Sequence, residues 1–181
     1  MYKVKVVTDY MKEQMEHEPT RSYAEEIHNI AKEYPYKNAL EIGAAWGVSA
    51  LAILEAGDGK LLSVDKDEMA RGPREVKAVG YPERWAYSNE SSDHFWERNQ
   101  QKFDLIYVDG SHLYKDVRND LFEAWKALEP NGLLIGDDMC HPANITGEYG
   151  VSIAAWEFIK EHNITKIHTT TRLFYIYKNE Q

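Results

Sequence analysis

Three carboxylates fall in two short segments, each closing an apolar run. Asp109 follows Leu105-Ile106-Tyr107-Val108, and Asp137 and Asp138 follow Leu133-Leu134-Ile135-Gly136. A short apolar run ended by a polar turn is the pattern of a strand buried in a parallel sheet. Ligands of open α/β sheets sit at the carboxyl ends of such strands. If the two strands are neighbours, the three carboxylates converge, and converging carboxylates repel unless a cation or a proton compensates. Oxygen ligands of this kind suit a hard divalent ion, Mg2+ first and then Mn2+ or Ca2+. His112 lies three residues after Asp109. It is placed to serve as a general base, a metal ligand or a hydrogen-bonding support; the bland alternative is a surface-loop histidine. Asp109 is a second candidate for the base. For Asp137 and Asp138 the bland alternative is a solvated turn.

A second constellation lies earlier, in Glu41-Ile42-Gly43-Ala44-Ala45-Trp46-Gly47-Val48-Ser49. Gly43 lets the chain turn tightly and lets a ligand approach the backbone. Gly47 keeps the helix entrance free of a side chain, where N–H groups favour an anionic group such as a carboxylate. The spacing is G-x-x-x-G, which argues against the G-x-G-x-x-G of NAD and FAD sites. Without a following G-K-[ST] it also disfavours ATP and GTP. Two glycines fit a plain strand-to-helix turn equally well. Asp65, at the end of Leu61-Leu62-Ser63-Val64, adds specificity. An acid there can accept hydrogen bonds from both hydroxyls of a ribose, the alternative being a helix cap.

Alternating elements must position these residues. Residues 9–34 are polar and helix-prone, with Thr20 as a candidate cap and Tyr23, Ala24, Ile27, Ile30 and Ala31 at helical spacing. Strands are expected at 39–42, 61–64, 85–87, 105–108 and 133–135. Helices are expected at 48–55, 68–79, 93–101, 114–128 and 152–161. Pro130-Asn131-Gly132 reads as a helix stop. Two late β-like runs, 165–169 and 172–177, bring the sheet to seven strands. The pattern predicts an α/β fold: a mostly parallel sheet with helices on both faces and an antiparallel strand at its edge. Residues 1–10 read as a short strand or arm.

The 181 residues suggest one domain, with 1–36 as lead-in helices and 37–181 as the core. Apolar content of 43% supports a globular core, and the single cysteine, Cys140, allows no internal disulfide and suits a reducing cytoplasm. No run has the length of a membrane span or a signal-peptide block. A net charge of −9, without a dense Lys/Arg run, disfavours nucleic acid as partner.

The segment Glu41-Ile42-Gly43-x-x-x-Gly47-x-Ser49, followed by Asp65, resembles the first two cofactor motifs of class I methyltransferases, whose fold is Rossmann-like. The Gly-x-Ser ending is similar to the catechol O-methyltransferase branch. The run Phe103–Met139 resembles the metal-dependent methyltransferases of sugar hydroxyls. The resemblance spans roughly Ala39–Lys160. It implies that S-adenosylmethionine (SAM) binds against Glu41, Gly43, Ala44, Gly47 and Ser49, with Ser49 helping to hold its methionine carboxylate. It implies ribose contacts from Asp65, adenine contacts from Glu90 and Ser91, and a further cofactor contact from Asp109. It also implies that Asp109, Asp137 and Asp138 bind a metal that holds the acceptor hydroxyl. His112 stands about where catechol-type relatives carry a catalytic lysine, so the base stays open between His112 and Asp109. The acceptor implied is a small hydroxylated molecule, a sugar or a phenol, in a pocket that a second subunit could complete. Two other readings remain: a methyltransferase acting on nucleic acid or protein, and a non-catalytic SAM-binding module.

Overall fold

A computed structural model describes residues 18–66, 81 and 83–179. The expected arm at 1–10, the lead-in residues before 18 and the helix at 68–79 lie outside the described residues.

The first described helix, α1 (Glu18–Glu33), turns Ala24, Ile27, Ile30 and Ala31 inward, as their spacing requires. Thr20 lies within it rather than at its cap. Strand β1 (Asn38–Ile42) leads into α2 (Val48–Ala56), which is buried along Val48–Leu54. A helix apolar on every side needs cover on every side. Here it lies in the same core as α1 and residues of the sheet.

Next come β2 (Lys60–Asp65), β3 (Trp85–Asn89), α3 (Ser92–Arg98), β4 (Phe103–Val108), α4 (Tyr114–Ala127) and β5 (Leu128–Gly136). The chain closes with α5 (Ala143–Thr146), α6 (Val151–Glu161), β6 (His168–Thr169) and β7 (Phe174–Tyr177). The sheet order is β3-β2-β1-β4-β5-β7-β6. Strands β1 to β5 pair in parallel. The reversed strand β7 lies between β5 and β6 and is antiparallel to both. Alternation along β4 feeds two cores. Ile106 and Val108 join α3, α4 and α6 on one face, and Leu105 and Tyr107 join α1 and α2 on the other.

Three boundaries differ from the pattern. Helix α3 stops at Arg98 because Asn99 turns extended, and it starts with Ser91 as its cap. Pro130-Asn131-Gly132 does not precede β5 but lies inside it. Leu128 already pairs with Phe103, and the register then jumps to Leu105 opposite Leu133. Asn131 has a φ of 67°, which accommodates the irregularity. The late runs shorten to 168–169 and 174–177, which frees Arg172 from strand pairing.

Candidate active site

At the carboxyl end of β1, Gly43 takes a φ of +90°. A Cβ there would lie 2.0 Å from the main-chain oxygen of Asp109, so only glycine lets the loop pack on the end of β4. The Gly43 N–H donates to Val64 O (2.8 Å) and the Asp109 N–H to Ile42 O (2.8 Å), which ties three strand ends together. Gly47 is left-handed (φ 79°) and opens α2 without a side-chain cap. Asp65 reaches back across the loop. Its Oδ2 accepts the N–H groups of Ala44 (2.8 Å) and Ala45 (2.7 Å).

Glu41 is buried beneath this loop. Its carboxylate accepts the hydroxyls of Ser49 (2.5 Å) and Ser63, and Ser63 in turn accepts the indole N–H of Trp85 (3.0 Å). Burial pushes the Glu41 carboxyl up to about 7, against the opposing effect of its two serine donors. Glu90 pairs with Arg98, whose hydrogen bond holds its carboxyl below the usual range. Ser91 caps α3 by accepting the His94 N–H.

At the ends of β4 and β5 the three acids converge. Arg172 Nε lies 2.7 Å from Asp137 Oδ1 and 2.9 Å from Asp138 Oδ1. The Tyr107 hydroxyl lies 3.1 Å from both Asp109 Oδ2 and Asp137 Oδ2. A phenol has one proton to give, so it donates to one of the two carboxylates at a time. Burial and then the neighbouring charges of Asp137 and Asp138 drive the Asp109 carboxyl well above its ordinary value. Burial also raises Asp137, although Arg172 opposes it. Burial works to raise Asp138 as well, but the His112 hydrogen bond and the Arg172 charge hold it below its ordinary value. His112 Nε2 lies 3.0 Å from Asp138 Oδ2, and its ring stacks on Tyr149 at 4.1 Å. His141 stacks on Tyr149 as well, at 4.8 Å.

A cleft of roughly 600 Å³ joins the two constellations. Gly43, Asp65, Glu90, Ser91, Asp109 and His112 all line it. Glu41, Ala44, Gly47 and Ser49 sit behind its wall and shape the loop. Among the described residues, six acids (Asp65, Glu90, Asp93, Asp109, Asp116 and Glu148) and one lysine, Lys66, line the cleft. Such a lining repels phosphates and favours a ligand carrying positive charge.

The donor atoms of Asp109, His112 and Asp138 lie within 4.8 Å of one another. Two carboxylates and an imidazole fit a divalent ion. Asp137, also expected as a ligand, is bonded here to Arg172, Tyr107 and the Asp138 N–H. Arg172 and Tyr107 were not singled out from the sequence. Tyr107 was findable, since it stands two residues before Asp109 on the same side of a strand. Arg172 carried no local signal. It arrives because β7 runs antiparallel to β5, pairing Phe174 with Gly136.

Residues 40–139 match a family described as a methyltransferase domain. Over 116 residues the chain is 31% identical to a highly reducing polyketide synthase of Aspergillus aculeatus; the match covers 59% of this chain and only 5% of that protein. Among solved structures, the O-methyltransferase TomG of Streptomyces achromogenes, in complex with SAM, aligns with a TM-score of 0.73 at 14% identity, covering 97% of this chain and 93% of that one. A Podospora anserina methyltransferase bound to S-adenosylhomocysteine aligns with a TM-score of 0.72 at 18% identity, covering 95% and 88%. An O-methyltransferase of Bacillus cereus aligns with a TM-score of 0.72 at 12% identity, covering 87% and 81%. Among the described residues, no helix is long and apolar enough to cross a membrane.

Proposed function

This chain belongs to the methyltransferase-domain family, and from that premise we propose that it transfers the methyl group of SAM to a hydroxyl of a small molecule, a sugar or a phenol, with a divalent ion, Mg2+ in first place, at the ends of β4 and β5. The observation that carries this reading is the double role of Asp109. Its main-chain oxygen packs on Gly43 in the glycine loop, while its carboxylate stands in the acidic cluster. A donor seated on the loop would therefore meet an acceptor held at the cluster.

The bound donor supplies an electrophilic methyl on a sulfonium; the acceptor's oxygen–carbon bond forms as the carbon–sulfur bond breaks, and sulfur keeps the electron pair. When bound, the metal lowers the pKa of the acceptor hydroxyl. Asp109 and Asp138, whose ligand atoms converge, would hold that ion together with Asp137, leaving the His112 imidazole for the proton. Asp65, which bonds the loop amides, fixes the loop and offers its carboxylate to the ribose hydroxyls. Glu90 and Ser91 form the adenine wall. Glu41 and Ser49, bonded to each other beneath the loop, brace it for the donor. His112 takes the hydroxyl proton, with Asp109 as the alternative acceptor; its imidazole is half-exposed and already oriented by Asp138 and Tyr149. The carboxylate-lined cleft favours a small acceptor over a polyanion. The exposed, unpaired Cys140 suits a reducing cytoplasm.

Calorimetric titration with SAM tests the cofactor assignment. The wild type binds, and Asp65→Ala weakens binding by about tenfold or more, as the loss of charge-assisted hydrogen bonds requires. A folded wild type that takes up no SAM sinks the reading. His112→Ala lowers turnover by about 10²-fold with little change in SAM affinity. Unchanged turnover moves the base role to Asp109.

A further inference from the structure

The acidic cluster contains its own cation. A single nitrogen, Arg172 Nε, stands within 3 Å of carboxylate oxygens from both Asp137 and Asp138. These two carboxylates are almost fully buried, at 1% and 3% exposure, whereas the arginine is 33% exposed. Its guanidinium carbon lies 4.9 Å from the centre of the Tyr23 ring, a second favourable surface for the cation. The charge is thus buried at its partners' end, with a route towards solvent at its own. Asp109, Tyr107, Tyr23 and His112 complete the surroundings.

We propose that Arg172 is an exchangeable counter-cation of the acceptor site, competing with the divalent ion for Asp137 and Asp138, so that metal entry requires the guanidinium to withdraw. The inference rests on the metal reading of this cluster and assigns a residue outside it a role in setting metal affinity. Two features support it. Buried carboxylates without a cation repel each other, so the metal-free protein needs one. A divalent ion on Asp138 would also lie within a few ångströms of the guanidinium, and like charges that close repel strongly away from bulk water. One pair of buried acids therefore does not hold both cations at full strength. Arg172 also explains why Asp137 stands apart from the convergent set of Asp109, His112 and Asp138.

The test is calorimetric binding of Mn2+ alone to the wild type, Arg172→Gln and Arg172→Lys, with SAM titration of each protein as an independent check on folding. Arg172→Gln binds Mn2+ about tenfold or more tightly than the wild type, because a repelling charge has gone. Arg172→Lys stays near the wild type. Adding Asp137→Asn to Arg172→Gln removes the gain. Equal or weaker Mn2+ binding by Arg172→Gln overturns the proposal, as does the absence of Mn2+ binding from both proteins while SAM still binds. Loss of SAM binding in the wild type strikes the cofactor reading instead. A second measurement needs no variant. In the wild type, the Nε–H resonance of Arg172 shifts and exchanges faster with water on saturation with Mg2+. A resonance unmoved by saturating Mg2+ overturns the exchange.

Discussion

The two ends of the cleft solve the same problem, a buried negative charge, by opposite means. At the glycine loop, Glu41 is surrounded by neutral donors, and Asp65 is tied by backbone amides. At the acidic cluster, three carboxylates are balanced by an arginine, a phenol and an imidazole. The first arrangement is fixed by main-chain geometry and tolerates little change of shape. The second is held by charge and can be redistributed when a proton or a cation arrives. A fixed end suits a ligand that is the same in every turnover. A redistributable end suits a site whose protonation or counter-cation changes.

The comparison breaks most severely at Gly43. Gly43→Ala forces a Cβ into the Asp109 carbonyl at a φ that side chains avoid. The expected cost is about 3 kcal/mol or more in thermal or urea unfolding, with loss of measurable SAM binding. Native stability with full SAM affinity would mean the loop is not rigid.

The next effect is pH dependence at Glu41, whose folded carboxyl is raised from an ordinary 4.5 to about 7. Between those values the folded protein keeps a proton that the unfolded chain has released. Stability attributable to this group therefore falls as pH rises from about 4.5 to about 7, by about 3 kcal/mol in total. Glu41→Gln, which mimics the protonated acid, flattens that part of the profile measured by urea unfolding. A variant profile as steep as the wild type's would assign the slope to the acidic cluster instead.

Tyr107→Phe gives the smallest effect and sharpens the contrast. Removing the hydroxyl between Asp109 and Asp137 costs about 1–2 kcal/mol of stability. The loss shrinks in saturating Mg2+, because the ion takes over the compensation. An equal loss with and without Mg2+ would show the cluster to be as fixed as the loop.

The same contrast explains what the sequence made legible. Glu41 to Ser49 is one contiguous stretch across a strand end and a helix start, so spacing alone exposed it. Asp65, Asp109 and Asp137 each close an apolar run, and strand ends can be read from such runs. Alternating elements imply a mostly parallel sheet but not its strand order, and two short runs at the end imply an antiparallel strand. The strand break at 130–132 is ambiguous in sequence because Pro-Asn-Gly stops helices and also builds irregular strands, and only pairing with Phe103 distinguishes the two. Arg172 was invisible because its partners lie 35 residues earlier and meet it only through antiparallel register. Ser49 illustrates a different limit. Its motif position implies a ligand contact, but its bond to Glu41 is visible only in the structure, because side-chain direction is not written in spacing.

The placement of Arg172 just before β7 also bears on synthesis. Every acid it compensates lies earlier in the chain, as do Tyr107 and His112. On the ribosome, the glycine loop can close on β2 and β4 while later residues are still being added. The cluster must wait, as a set of mutually repelling carboxylates, until the arginine emerges and β7 inserts beside β5. Long-range pairings of this kind form late and slowly. The partners of the glycine loop are therefore available to the chain before those of the acidic cluster.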